Sequence, residues 1–417
     1  MTPTSGLYNR IMSPAELNNP SDLKNEACAA IDALASTLID ISHDIHAHPE
    51  LNYEETHAHA LLSSTLESGF ADVTRHAYGV ETAFHAVVQG PDREPRVGVI
   101  LEYDALPEIG HACGHNVIAA AGLGAALALA PIARSLGVSL EVFGTPAEEG
   151  GGGKIAMARN GAFRNLDAAM MVHPGDVDLT AMRAIAIHEC CANFHGREAH
   201  AAAFPHKGIN ALDGAVLAYN SIAALRQHIR PTERVHGVFT HGGDKANIVP
   251  KFASMNWYVR SDTLETLQPL KKRVEACFLG AAQATGCTVD LEWEDHSYAD
   301  VRDSAAILTA YVANGRAIGR EFTQPVPENM VVGSTDMGNV SYLAPSIHPI
   351  IKVAPSGVPI HTARFTEFAG GPDGDRAALD GAKVLAMTAI DLWTNPGLLA
   401  AARAEFAAIG GIPEGAL

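Results

Sequence analysis

An α/β fold of two domains, one inserted into the other, is what this sequence predicts, and three observations carry the prediction. Strand and helix patterns alternate up to about residue 183; six elements in the order β-α-β-β-α-β follow; helix and strand then resume. The chain has 417 residues, more than one hydrophobic core usually covers. Simple alternation implies a largely parallel sheet flanked by helices, and the six-element run is the ferredoxin-like α+β arrangement. The expected organisation is a main domain over 1–183 and 299–417, with a lid or dimerisation domain inserted over 184–298.

The elements follow in order. "ACAAIDALASTLIDISHDIHAHPE" has helical periodicity and stops at Pro49. "RVGVILEYDALP" is a short apolar strand running into an acidic turn, and a helix starts after "HACGHN". Strand "VSLEVFGTPAEEGGGG", a helix from Lys154 and strand "DAAMMVHPGD" complete the first part. In the insert, "AIAIHECCANF" is a strand and "GINALDGAVLAYNSIAALRQHI" a helix. Strands "VHGVFTHGG" and "FASMNWYVRSD", helix "TLETLQPLKKRVEACFLGAAQATG" and strand "CTVDLEWED" follow. Afterwards "DSAAILTAYVANGRAIG" is a helix, and "HPIIKVA" is a strand expected to rejoin the first sheet.

Composition narrows the partners. Hydrophobic residues at 47% and charged residues at 18% are a globular balance. A formal net charge of −18 argues against nucleic acid and against an anionic membrane surface. The N-terminus lacks the basic and apolar regions of a signal peptide. The longest apolar run, Val117 to Ala133, is Ala- and Gly-rich and contains Pro131, which fits a buried, closely packed helix better than a bilayer span. Six scattered cysteines are no disulfide framework, so a cytoplasmic location is expected.

Polar clusters end three strands of the main domain: Asp104, Glu148–Glu149 and His173. "HACGHN" lies just beyond the first of these strands, and open α/β sheets bind ligands at their carboxyl edge. Cys113, His115, Glu149 and His173 are therefore expected to converge. Thiolate, imidazole and carboxylate suit zinc and similar divalent metals. Singly, each residue has a plainer reading as a packed cysteine, a capping histidine or a solvated loop glutamate; jointly, at strand ends, they favour a metal site. The glycine run before Lys154 is no phosphate-binding loop, for it lacks the upstream glycine and the following Ser/Thr.

The motifs "IHAHPELNYEE", "EYDALP", "HACGHN", "GTPAEEGGGGK", "MMVHPG", "GREAHAAAFPHKGINALDGAV", "ANIVP", "VRSD", "GSTDMGNVS" and "PIHTARF" span nearly the whole chain. Together they resemble the dinuclear-metal aminoacylase and carboxypeptidase family of metallopeptidases, in its amidohydrolase branch. That branch includes auxin-conjugate, hippurate and aminobenzoyl-glutamate hydrolases and aminoacylase-like dipeptidases. The resemblance implies two divalent ions per subunit, zinc first and manganese as alternative, held by Cys113, His115, Glu149, His173 and His361. It implies Glu148 as general base and Asp104 as the group that orients a ligand. From the insert it implies His200 on the scissile carbonyl, with Asn247 and Arg260 on the substrate's carboxylate or carbonyl end. In such relatives the inserted domains pair across a two-fold axis and lend this histidine to each other, so a homodimer or larger homo-oligomer is expected.

Two departures refine the resemblance. Carboxypeptidase-like relatives end the first strand in His-x-Asp, whereas Glu102-Tyr103-Asp104 stands here, so position 102 is not counted as a ligand. Asn116 replaces the aspartate usual in auxin-conjugate hydrolases, and the chain looks closer to the aminoacylase-like dipeptidases. Arg260 alternates with Asn256 and Tyr258 on one strand face opposite Met255, Trp257 and Val259, which frees its guanidinium for a carboxylate. The expected activity is hydrolysis of an amide between an acyl group and an amino acid with a free carboxylate, an aromatic amide such as ochratoxin included. A metallo-dipeptidase or carboxypeptidase is the alternative. A metal-free cysteine hydrolase using Cys113 with His115, and a silent binding protein, are further readings.

Overall fold

A computed structural model describes residues 19–90, 95–326, 332–410, 412–413, 415 and 417. The main sheet runs, in spatial order, Asp72–Arg75, Phe84–Val88, Ser139–Thr145, Arg96–Glu102, Ala168–Met170 and Ser346–Ile347. The last four are mutually parallel, and two antiparallel strands close one edge. Ser139–Thr145 is buried at every residue, as a strand covered on both faces must be.

Helix His115–Leu136 is long and apolar enough to cross a membrane, yet it forms the centre of the core. Its small residues explain how. A Cβ on Gly124 would lie 2.7 Å from the Leu38 side chain and 3.0 Å from Ala382 Cβ, so helices Ala35–Ala47 and Pro372–Thr394 approach closely there. The apolar run expected to be a packed helix is one.

The strand expected in "HPIIKVA", residues 348–354, does not rejoin the main sheet; the two residues just before this segment do. Ser346–Ile347 joins the main sheet, while Ile350–Lys352 pairs with His173–Gly175 in a separate two-stranded ladder. Pro349 lies between the two segments and has no N–H to continue the ladder, although its carbonyl accepts from His173 N at 2.9 Å.

The inserted unit is a four-stranded antiparallel sheet in the order Thr288–Trp293, Ala186–His195, Phe252–Ser261, Arg234–His241. Numbered along the chain that order is 4-1-3-2, the ferredoxin-like arrangement. Helices Ala211–Leu225 and Leu264–Thr285 cover one face around Phe194, Met255, Trp257, Val259 and Phe278, a core separate from that of the main domain. The period of two puts Ile187, Glu189, Tyr258 and Arg260 on the other face. That face meets the carboxyl ends of the main-domain strands.

Candidate metal centre and substrate cleft

Three strand ends, the start of helix His115–Leu136 with Cys113 and His115, and one loop deliver the site. Asp104 follows strand Arg96–Glu102, Glu148–Glu149 follow Ser139–Thr145, His173 follows Ala168–Met170, and His361 arrives on the loop before helix Ala363–Ala369. The backbone is left-handed where side chains are aimed inward: φ is +57° at Ala147, +63° at His361 and +78° at Gly114. At Gly114 a Cβ would also meet Pro174 at 2.9 Å, so only glycine fits between Cys113 and His115. Glu55 holds the glutamate turn: its carboxylate accepts from Ala147 N at 2.9 Å, Tyr53 N at 3.0 Å and the Thr82 hydroxyl at 2.8 Å.

Cys113 Sγ lies 3.3 Å from His173 Nε2. His115 Nε2 is 3.8 Å from a carboxylate oxygen of both Glu148 and Glu149, and His361 Nε2 is 3.5 Å from the other oxygen of Glu149. Ligand atoms of Cys113, His115 and His173 lie within 4.8 Å of one another, as do those of Cys113, Glu149 and His361. The two triads share Cys113. Behind them, Asp104 accepts from His115 Nδ1 at 2.8 Å and from Glu149 N at 2.9 Å, while His173 Nδ1 donates to Pro174 O at 2.7 Å. These bonds leave both Nε2 lone pairs facing the cluster.

The fit to a metal is testable on these atoms. His115 Nε2 and Glu149 Oε1 are buried without a hydrogen-bond partner, a costly state for groups this polar. A divalent ion would satisfy both, and the Cys/His/Glu donor set suits zinc-like ions. Burial, then Glu102 and Glu149, hold the Glu148 carboxyl well above the ordinary carboxylate range. Burial and then His115 lower His173 to about 4, which keeps its imidazole neutral.

A cleft of about 820 Å³ opens from this cluster and is lined by both domains. Arg260 faces it as its face alternation predicts, with a buried Nε that has no hydrogen-bond partner. His200 and Asn247 are elsewhere. They lie together, as Ala201 N donates to Asn247 O at 3.0 Å, on an exposed loop outside the cleft lining. His200 Nδ1 accepts from Ala203 N at 3.2 Å. The edge strand of that domain leaves Val238 63% and Phe239 41% exposed, and Val216 and Ile248 are exposed on the same domain.

Some participants are invisible to sequence reasoning. Lys154 is fully buried, with Nζ 2.5 Å from Glu102 and 2.6 Å from Asp336, and Glu102 in turn lies 3.6 Å from His115 Nε2. Tyr298 donates to Glu148 O at 2.8 Å and accepts from Gly152 N at 2.9 Å. The motifs "GGGGK" and "GSTDMGN" contain Lys154 and Asp336, but only the fold pairs them.

Residues 96–388 match the profile of Peptidase family M20/M25/M40. The chain is 43% identical to an Xaa-Arg dipeptidase of Mus musculus over 397 residues, covering 92% of each chain. It is 29% identical to one of the subunits of p-aminobenzoyl-glutamate hydrolase of Escherichia coli, over 89% of this chain and 92% of that one. Among solved structures, a dinuclear metal-binding peptidase of the same family from Bacillus subtilis superposes with a TM-score of 0.66 at 18% identity, covering 86% of this chain and 99% of that one.

Proposed function

We propose, from the premise that the chain belongs to Peptidase family M20/M25/M40 and is a metal-dependent hydrolase of amide or peptide bonds, that it is a dipeptidase. It would release a C-terminal amino acid with a free carboxylate, preferring a basic one as the name of its Xaa-Arg relatives describes. The observation that carries this reading is the pairing, across one cleft, of the Cys113-centred cluster and Glu148 with Arg260, whose buried Nε has no hydrogen-bond partner. The expected N-acyl amino acid substrate, ochratoxin included, takes second place, because the hydrolases of that type among the relatives are more distant. The dipeptidase alternative moves to the front.

In this proposal Cys113, His115, Glu149, His173 and His361 hold two divalent ions, zinc or manganese. Bound there, the ions supply Lewis acidity toward the scissile carbonyl and toward water. Glu148 accepts a proton from water and passes it to the leaving amine, a task its raised proton affinity favours. Asp104 positions His115 through the 2.8 Å bond. Arg260 binds the α-carboxylate in fork geometry.

His200 and Asn247 then act from a second subunit, because their loop does not line the cleft of their own chain. The exposed apolar edge beside them supports a two-fold pairing of inserted domains. The domain limits proposed with this reading are 1–183, 184–298 and 299–417.

The test is a substrate panel: alanyl-arginine, alanyl-lysine and alanyl-leucine against N-acetyl and N-benzoyl amino acids. Dipeptide kcat/KM should exceed that of every acyl amino acid. Turnover of acyl amino acids alone would replace the dipeptidase by the amidohydrolase reading.

A further inference from the structure

The inserted-domain wall of the cleft carries two carboxylates that the proposed chemistry leaves without a role. Glu189 and Glu294 both line it, and neither makes an ion pair among the described residues. They are neighbours, since Glu294 N donates to Glu189 O at 3.1 Å. Asn256 donates to Glu189 Oε1 at 2.6 Å and, with the Tyr258 hydroxyl beside the same carboxylate, fixes it in place while acceptor sites remain for a ligand. That the cleft takes a ligand does not depend on these acids: the Arg260 Nε on the same sheet face is buried without a hydrogen-bond partner.

Register relates the acids to Arg260. Arg260 stands opposite Ile187 and Tyr258 stands opposite Glu189, so Glu189 is two residues along the sheet from the arginine row. Two strand residues span roughly 7 Å. That matches the separation between the α-carboxylate and the terminal cation of an extended lysine or arginine. We infer that Glu189, with Glu294 beside it, is the specificity determinant that receives the cationic side chain of the C-terminal residue while Arg260 holds its carboxylate. The inference rests on the dipeptidase reading and assigns its basic preference to residues. A guanidinium between two carboxylates gains charge-assisted hydrogen bonds that a neutral isostere loses.

The test compares alanyl-arginine with alanyl-citrulline, its neutral isostere, in wild type, Glu189→Gln, Glu294→Gln and the double variant. Calorimetric titration with free L-arginine and L-citrulline gives a binding readout that needs no turnover. Wild type should prefer the arginine forms. In Glu189→Gln the arginine-to-citrulline ratio of kcat/KM should fall about 10–100-fold, chiefly through KM, and the double variant should approach parity. Glu294 is exposed, so its variant reports even if Glu189→Gln misfolds. A preference retained in folded variants overturns the assignment and leaves the dipeptidase reading standing. Wild type that cleaves acyl amino acids and no dipeptide overturns both.

Discussion

Glu148 and Glu149 are adjacent in the chain yet belong to different tasks in the proposed chemistry. Glu149 reaches both His115 and His361, whereas Glu148 reaches His115 and lies against Glu102 in a buried setting. Glu148→Gln should keep its metal and lose about two to four orders of magnitude in kcat, the range for a lost general base. Glu149→Gln should lose metal as well. Metal analysis beside kinetics separates the two, and equal metal content with near-normal rates in both would contradict the roles. Cys113, His115, Glu149 and His173 are legible in the sequence because each follows a strand or opens a helix at one sheet edge. Lys154, Glu189 and Glu55 are not, and Glu102, visible at its strand end, gives no sign there of its pairing with Lys154. Burial and pairing are properties of packing, not of spacing.

The elements behind the cluster hold it through a buried charge network rather than through apolar contact alone. Lys154 opens the short helix Gly153–Arg159 and joins it to Glu102 on the central strand and to Asp336 before helix Met337–Ser341. Removing the ammonium leaves two buried carboxylates uncompensated, so Lys154→Met should cost about 3–5 kcal/mol of stability by denaturant unfolding. A midpoint equal to wild type would show that the network does not hold the site. Element types are readable here because period and flanking Gly or Pro decide them; the Ala- and Gly-rich helix His115–Leu136 and the six-element insert follow from pattern alone. The ladder that "HPIIKVA" joins does not, because Pro349 separates Ser346–Ile347 in the main sheet from Ile350–Lys352 on His173–Gly175 within a continuous apolar pattern.

At the scale of the whole molecule, the cleft holds Glu148 and Arg260 but not His200 or Asn247. The dimer proposed on the exposed edge of the inserted domain would complete it. His200→Ala and Glu148→Gln should each be nearly inactive alone. Dissociated, mixed and reassociated, they should rebuild one site per heterodimer, with Glu148 from one subunit and His200 from the other. Random pairing of equal amounts predicts roughly a quarter of wild-type activity. No recovery despite confirmed subunit exchange would remove His200 from the site. The central claim, metal-dependent hydrolysis at the Cys113-centred cluster, has its most direct test in chelation and reconstitution. Protein dialysed against a chelator, verified metal-free and then titrated with zinc or manganese should be inactive on alanyl-arginine at the start and regain its rate as two equivalents bind per subunit. Full hydrolysis by the verified metal-free protein, abolished by alkylating Cys113, would contradict the account and make that cysteine the nucleophile.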